Sequence, residues 1–537
     1  MEVGRERVLS TDRASVEEAI RELARSRFGF SELRPGQLRA VAAAVDGRDV
    51  LAVLPTGGGK SAIYELAGLL REGPTVVVSP LIALQDDQLS HVRGAGLDAI
   101  VLNSHQSARE HAAALEASCR PGTFVFLSPE QLGNAEARDA LRRARPGLFA
   151  VDEAHLISQW GHDFRPDYMR LSAQADQLEA TVRMAVTATA APPVQSEIVR
   201  RLQLRDPEIV IGDFDRPQLG LAARAVRSVD EKHRELVEAA AEFPGAGIVY
   251  AATHADAEAA RDVLAAAGHS VTLYHAGLTP RARRGAMTAF LDGSARIVAA
   301  TVAFGMGIDK PDVRWVVHVD PTPSLDAYYQ EIGRAGRDGQ PAHARLLHRP
   351  EDFGAAVHFA TGGVSSKTVA RVAAELATGA ELEGTRGETA ALVRLVDIGA
   401  AVWNASGAVR WTEALTVADA VAASNAETAR ENEVERTRLE MTRRYAEHAG
   451  CRRSFLLSYF GQDYPGPCGN CDNDRVAVTS ELKPQPFAVG ERVISERWGD
   501  GTVQRYDGDQ LTALFDDHGY RDLLVPLVIE RKLLRRA

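Results

Sequence analysis

Four groups of residues have the types and spacing to do chemistry. Leu-Pro-Thr-Gly-Gly-Gly-Lys-Ser at 54–61 follows an apolar run from Asp49 to Val53. Glycines let a backbone curl so that its N–H groups face phosphate oxygens, and a following helix adds its positive end. In such a loop Thr56, Gly57, Gly58 and Gly59 cradle phosphates, Lys60 meets the β/γ-phosphates and Ser61 holds Mg²⁺. Leu54 stands where the pattern usually has its first glycine. A ligand-free glycine turn is the bland alternative, disfavoured because strand, glycines, Lys-Ser and helix come in the required order. The second group is Val-Asp-Glu-Ala-His at 151–155, where Asp152 suits a water-held Mg²⁺ and Glu153 a base that polarises water. An isolated Asp-Glu pair would read as a solvated strand end, but here a phosphate loop lies upstream on the same sheet. Gln159, Trp160, His162, Phe164, Arg165 and Tyr168 follow, an aromatic-polar mixture suited to stacking on nucleobases. The third group, Gln330, Arg334 and Arg337, is predicted on successive turns of one helix face, placed to offer cations to a transition-state phosphate. A solvated basic helix is its alternative. The fourth is Cys451, Cys468 and Cys471, clustered as metal ligands rather than disulfide partners.

These groups need a scaffold. At 537 residues the chain exceeds one core and predicts three to five units. Apolar content of 45% and charged content of 25% are ordinary for a globular protein. No apolar run reaches the ~18–20 residues a membrane span needs, and the N-terminus lacks the apolar core of a secretion signal. A net charge of −11 leaves any nucleic-acid track local, and four cysteines in so long a chain point to a reducing cytosol. Apolar runs at Thr75–Val78, Ala99–Leu102, Thr123–Leu127, Leu148–Val151 and Val182–Val186 have the spacing of an open α/β sheet, whose function sits at the carboxyl ends of its strands. A second alternation follows Asp213–Gly220, with strands predicted at Ala246–Tyr250, Val271–Tyr274, Ala295–Ala299 and Val313–Val319.

The order LPTGGGKS, SPLIALQDDQ, SPEQL, DEAH, TATA, YHAGL, FGMGIDKPDVR, QEIGRAGRDG resembles that of a superfamily 2 helicase. SQWGHDFRP resembles the aromatic-rich loop of the RecQ family, and FGFSELRPGQ its adenine-recognition motif. The resemblance is dense over residues 15–350. It implies two tandem RecA-like lobes with ATP between them, in an ATP-dependent, DNA-stimulated helicase that moves 3′ to 5′ and unwinds DNA in repair or recombination. Phe30 would stack on adenine, with Arg34 and Gln37 reading or supporting the base. Gly305 and Asp309 belong to the second lobe's nucleotide motif. Arg334 and Arg337 would be arginine fingers, and His155, Trp160, Phe164 and Arg165 would pass DNA contact to the ATPase.

Beyond Arg349 the resemblance thins. Val369, Val372 and Leu376, then Leu392, Leu395 and Val396, suggest two helices. Val402-Trp403 and Val409-Trp411 around Asn-Ala-Ser-Gly suggest a hairpin. Together they fit a winged-helix-like module or a helical spacer. A long helix is predicted over Glu427–His448. CRRSFLLSYFG and CGNCDND resemble the RecQ zinc region, which has a fourth cysteine where this chain has Asp474. His448 is a rival fourth ligand, and Arg452 and Arg453 are candidates to touch phosphate. KPQP at 483–486 reads as a linker to a small SH3-like or Tudor-like barrel whose aspartates favour a protein partner. The expected domains are 1–212 and 213–350 (the lobes), 351–426 (the module), 427–482 (long helix and zinc) and 483–537 (linker and barrel). The reading is a short bacterial form without the usual later domains, monomeric, cytosolic and nucleoid-associated. Two alternatives stay open. One is a translocase or RNA remodeller that does not unwind DNA. The other is an ATP-gated scaffold recruited through the barrel.

Overall fold

The computed structural model describes residues 13–55, 57–80, 82–103, 106–157, 166–305, 310–360, 364–382, 388–404, 408–474, 485–507 and 509–537. The chain forms two compact units, Met1–Gly212 with Gly363–Thr428, and Asp213–Gly362 with Ala429–Ala537.

In the first unit β1 (Val50–Val53), β2 (Thr75–Val78), β3 (Ala99–Leu102), β4 (Phe124–Leu127), β5 (Leu148–Val151), β6 (Arg183–Thr187) and β7 (Glu208–Ile211) form one parallel sheet. Its order is β3-β4-β2-β5-β6-β1-β7. Helices cover both faces of a parallel sheet, which is why β1, β2, β4 and β5 are unbroken apolar runs buried at every position. Edge strand β7 exposes Ile209 and Ile211, and its short alternation gives no sequence signal. Buried Asp49 sets the start of β1, accepting the N–H of Arg183 at 2.8 Å and of Arg205 at 2.7 Å.

The second unit holds another parallel sheet of β8 (Leu219–Ala225), β9 (Ala246–Tyr250), β10 (Val271–Tyr274), β11 (Ile297–Ala300), β12 (Val313–His318) and β13 (Ala342–His348), ordered β10-β11-β9-β12-β13-β8. β8 and β13, rich in alanine and histidine, are strands that apolar runs do not announce. They pair with each other over seven residues.

Residues Gly363–Thr428 return to the first unit. Helices Ser366–Ala377 and Thr389–Asp397 and the antiparallel hairpin β14 (Ala401–Trp403) and β15 (Val409–Trp411) share one apolar core. Turn residues 405–407 lie outside the described residues. Arg201 reaches this module from the first lobe, bonding Glu197 at 2.5 Å and Asp397 at 3.1 Å, and Arg170 lies 4.3 Å over the Trp403 ring. The long helix is Val417–Glu447, starting before the predicted Glu427 because Val417, Ala420 and Val421 join the module's core.

After helix Arg452–Tyr459 come β16 (Arg492–Ser495), β17 (Gly499–Asp507), β18 (Gln510–Phe515), β19 (Gly519–Leu524) and β20 (Arg535–Arg536), an antiparallel sheet in the order β19-β18-β17-β16-β20. Residues 475–484, including the first half of KPQP, lie outside the described residues. No described helix is long and apolar enough to cross a membrane.

Candidate functional site

The glycine loop lies between β1 and helix Lys60–Leu70, whose run of good helix formers is buried nearly all round. Gly57 and Gly59 are left-handed, at φ +77° and +72°, and Gly59 is the helix N-cap. The Gly58 N–H donates to the Pro55 carbonyl at 2.7 Å. Gln37, 8% exposed, holds this turn from behind. Its Nε2 donates to the carbonyls of Gly58 (3.0 Å) and Gly59 (3.1 Å), and its Oε1 accepts the Arg34 N–H at 2.9 Å. A Cβ on Gly59 would strike that amide, so glycine is needed there for space as well as backbone. Gln37 is thus a clamp on the phosphate loop, and the Arg34 side chain is exposed. Phe30 is half-buried and stacks on Phe28 at 5.7 Å, and Phe28 stacks on His91 at 6.3 Å. Thr56 lies outside the described residues.

Asp152 and Glu153 follow β5, against which the Lys60–Leu70 helix packs. Asp152 accepts from Gln88 Nε2 at 2.8 Å and from the Glu153 N–H at 2.9 Å. Burial, reinforced by Glu153, pushes the Asp152 carboxyl up to about 6 against the opposing pull of Lys60 and Gln88. A buried carboxylate short of positive charge, beside a lysine and a serine-bearing helix start, fits a hard oxygen-seeking cation such as Mg²⁺. Glu153 sits at φ +49°, a left-handed conformation that costs a non-glycine residue about 1–3 kcal/mol and tends to collect at functional sites. His155 is buried, its Nδ1 2.8 Å from Thr187 Oγ1 and 3.3 Å from Glu153 Oε2. The hydroxyl of Thr187, at the end of β6, also donates to the Thr189 carbonyl at 3.1 Å. Gln88 and Thr187 escaped the residue-by-residue reading. Their only signal was membership of SPLIALQDDQ, which follows β2 and runs into the helix Ile82–Gly94 that carries Gln88, and of TATA, which starts at the last residue of β6. Trp160, Phe164, Arg165 and Asp309 lie outside the described residues.

In the second lobe Gln330 is buried on helix Leu325–Ile332. The helix stops at Gly333, and Arg334 and Arg337 follow in consecutive turns, not on the helix face expected from their spacing. Gly336 fixes the turn that follows: at φ +62° its N–H donates to Val313 O at 2.9 Å, and a Cβ would stand 3.0 Å from Gln340 O. Arg334 is buried beside Gly305, where an added Cβ would stand 3.4 Å from its Nη2. Tyr250 donates to the neighbouring Phe304 carbonyl at 2.7 Å.

Cys451, Cys468, Cys471 and Asp474 offer one ligand atom each, all within 4.8 Å of one another. Three sulfurs and one oxygen fit tetrahedral Zn²⁺. Asp474 Oδ2 takes the Cys468 thiol at 2.9 Å and the Asn470 N–H at 3.1 Å. His448 is not in this cluster and packs on Phe455. Arg452 and Arg453 are buried and bonded to Asp472 and Asp215 at 2.5 Å each, so they are not the surface phosphate contacts expected.

Residues 34–198 match the DEAD/DEAH box helicase family, 231–339 the helicase conserved C-terminal domain and 414–475 the RecQ zinc-binding region. The chain is 32% identical over 451 residues to the ATP-dependent DNA helicase RecQ of Pasteurella multocida, covering 83% of this chain and 60% of that protein. The RecQ of Haemophilus influenzae is 32% identical over 454 residues, covering 83% and 62%. The chain belongs to the RecQ helicase family. It spans about three fifths of the length of these curated relatives. In fold it is similar to the DUF1998 helicase MrfA bound to DNA (TM-score 0.53, 18% identity, 74% of this chain and 63% of that one). A second likeness is to Mycobacterium smegmatis helicase Lhr bound to single-stranded DNA and AMP-PNP (TM-score 0.52, 19% identity, 77% and 62%). The two parallel sheets are tandem RecA-like lobes, and the cysteine cluster falls in the RecQ zinc-binding segment.

Proposed function

We propose that the protein is an ATP-dependent DNA helicase that moves 3′ to 5′ and unwinds duplex DNA in repair or recombination. The observation that carries this is the Gln88–Asp152–Glu153 cluster at the carboxyl end of β5, a strand packed against the helix that Lys60 and Ser61 open behind a clamped glycine loop. Lys60 meets the terminal phosphates, and Glu153 polarises the attacking water. Ser61 and Asp152 would hold Mg²⁺, which when bound offsets phosphate charge. Phe30 stacks on the base, Arg34 supports it, and Gly305 and Asp309 belong to the nucleotide motif. Gln330, Arg334 and Arg337 serve the transferred phosphate, the two arginines as fingers. His155, Trp160, Phe164 and Arg165 couple DNA contact to hydrolysis. Zinc on Cys451, Cys468, Cys471 and Asp474 staples the long helix to the second lobe.

The finer architecture belongs to the same proposal. The expected boundaries are 1–212, 213–350, 351–426, 427–482 and 483–537. Two helices and a hairpin on a common core support a winged-helix-like module, and five antiparallel strands round a core support an SH3-like barrel. The protein acts as a cytosolic, nucleoid-associated monomer, with a protein partner at the barrel.

The test is ATP hydrolysis with and without single-stranded DNA, together with strand displacement on 3′-tailed DNA and RNA duplexes. DNA-stimulated hydrolysis and displacement of the 3′-tailed DNA are expected. Stimulation without displacement would leave a translocase, and turnover unresponsive to DNA would overturn the reading.

A further inference from the structure

We infer that the C-terminal antiparallel sheet is a positioning element for the arginine segment of the second lobe, acting from Tyr520 through Tyr459 and Asp326. This deepens the proposed function and rests on it for the role of Arg334 and Arg337. Helix Leu325–Ile332, which leads directly into Arg334, is buried at every residue. Asp326, in its first turn, accepts from Arg438 Nη2 at 2.7 Å and from the Tyr459 hydroxyl at 2.5 Å. The Tyr459 ring stacks on Tyr520 of β19, with centroids 5.6 Å apart and planes 26° apart.

The sheet is docked by shape as well as charge. Gly519 is left-handed at φ +69°, and a Cβ there would collide with Thr437 of the long helix. The Tyr520 N–H donates to Thr437 Oγ1 at 3.1 Å. Arg521 pairs with Glu433 at 3.0 Å, Arg444 pairs with Asp522, and Arg505 lies 3.9 Å over the Phe455 ring. Helix Leu325–Ile332 touches its other neighbours through Tyr328, 3.4 Å from the Tyr445 hydroxyl, and Glu331, 2.6 Å from His318 Nε2. A buried carboxylate shared by an arginine and a phenol cannot move without breaking both bonds, and Arg438 itself is held in place by a second carboxylate, Glu435, at 2.9 Å. The start of this helix is therefore tied to the docked sheet, and its end carries Gln330 and delivers Arg334. A flexibly tethered adaptor would need neither a buried tyrosine stack nor a glycine cut to fit Thr437.

The experiment uses the full chain. Tyr459→Phe deletes only the hydroxyl, Tyr520→Ala deletes the stack, and Tyr520→Phe keeps the ring. Tyr459→Phe and Tyr520→Ala are expected to lower kcat for DNA-stimulated ATP hydrolysis by roughly tenfold, with KM for ATP within about twofold, and Tyr520→Phe to restore kcat. Hydrogen exchange of the Leu325–Ile332 amides, read without nucleotide, is expected to quicken by on the order of tenfold in both Tyr520→Ala and Tyr459→Phe. Should Tyr520→Ala not fold, Tyr459→Phe decides on the same two measurements. Unchanged kcat and unchanged exchange, or a rise in KM in place of a fall in kcat, would overturn the inference. A wild-type chain without DNA-stimulated hydrolysis would sink the proposed function instead, and exchange would still judge the tie.

Discussion

Replacing Gln37 by alanine removes three hydrogen bonds at once, to the carbonyls of Gly58 and Gly59 and from the Arg34 N–H. Each such bond is worth about 0.5–1.5 kcal/mol net. The loop keeps its glycine backbone and the helix behind it, so part of that sum returns as local relaxation. If roughly half reaches the bound state, ATP binding weakens by about 1–2 kcal/mol, which is ~5–30-fold in affinity. The effect falls on binding, because the clamp shapes the phosphate cradle and does not touch the attacking water. Steady-state hydrolysis should therefore show KM for ATP raised by about that factor, with kcat changed far less. Equilibrium titration with a fluorescent ADP analogue should give a matching loss, and the thermal midpoint without nucleotide should move by only a few degrees. A KM within twofold of wild type would refute the clamp. A fall in kcat at constant KM would place Gln37 in the chemical step.

Lys60→Ala should abolish hydrolysis yet leave DNA affinity nearly intact in a filter-binding assay, since binding is dominated by backbone-phosphate contacts elsewhere. Trp160→Ala and Phe164→Ala should preserve basal ATPase and blunt its stimulation by single-stranded DNA; full stimulation in both would remove them as coupling residues. Elemental analysis should find one zinc per chain, weakened by Asp474→Ala and untouched by His448→Ala. The hydrogen bond to buried Glu65 raises the His91 pKa, so the folded state holds the proton more tightly than the unfolded chain. That stabilisation is complete below the ordinary histidine value of about 6.5 and is lost as pH rises through the raised value. His91→Gln should narrow the gap to wild type in unfolding midpoint as pH increases; a pH-independent gap would argue against the pair.

Much of this protein was legible one residue at a time. The phosphate loop, the Asp-Glu pair and the cysteine cluster each pack their chemistry into a few consecutive residues, so spacing alone reveals them. Strands buried on both faces are unbroken apolar runs, and β2, β5 and β9 lie where those runs do, while apolar runs also mark the edge strands β3 and β10. Short or alanine-rich β7, β8 and β13 carry no such run, because their place is decided by the neighbour they pair with. The spacing of Arg334 and Arg337 fits a helix as well as a turn, and the turns are made after the helix ends at Gly333, held by the bond from Gly336 N–H to Val313 O. Gln37 and Gln88 look like ordinary polar residues until folding sets one behind the glycine loop and the other against Asp152. The tail reads as a separate module in sequence, yet its Tyr520 is buried against Tyr459, far upstream in the chain. Local backbone chemistry was written in the sequence. Partnerships between distant side chains were settled only by tertiary packing, since a polar side chain's role depends on which group burial places opposite it.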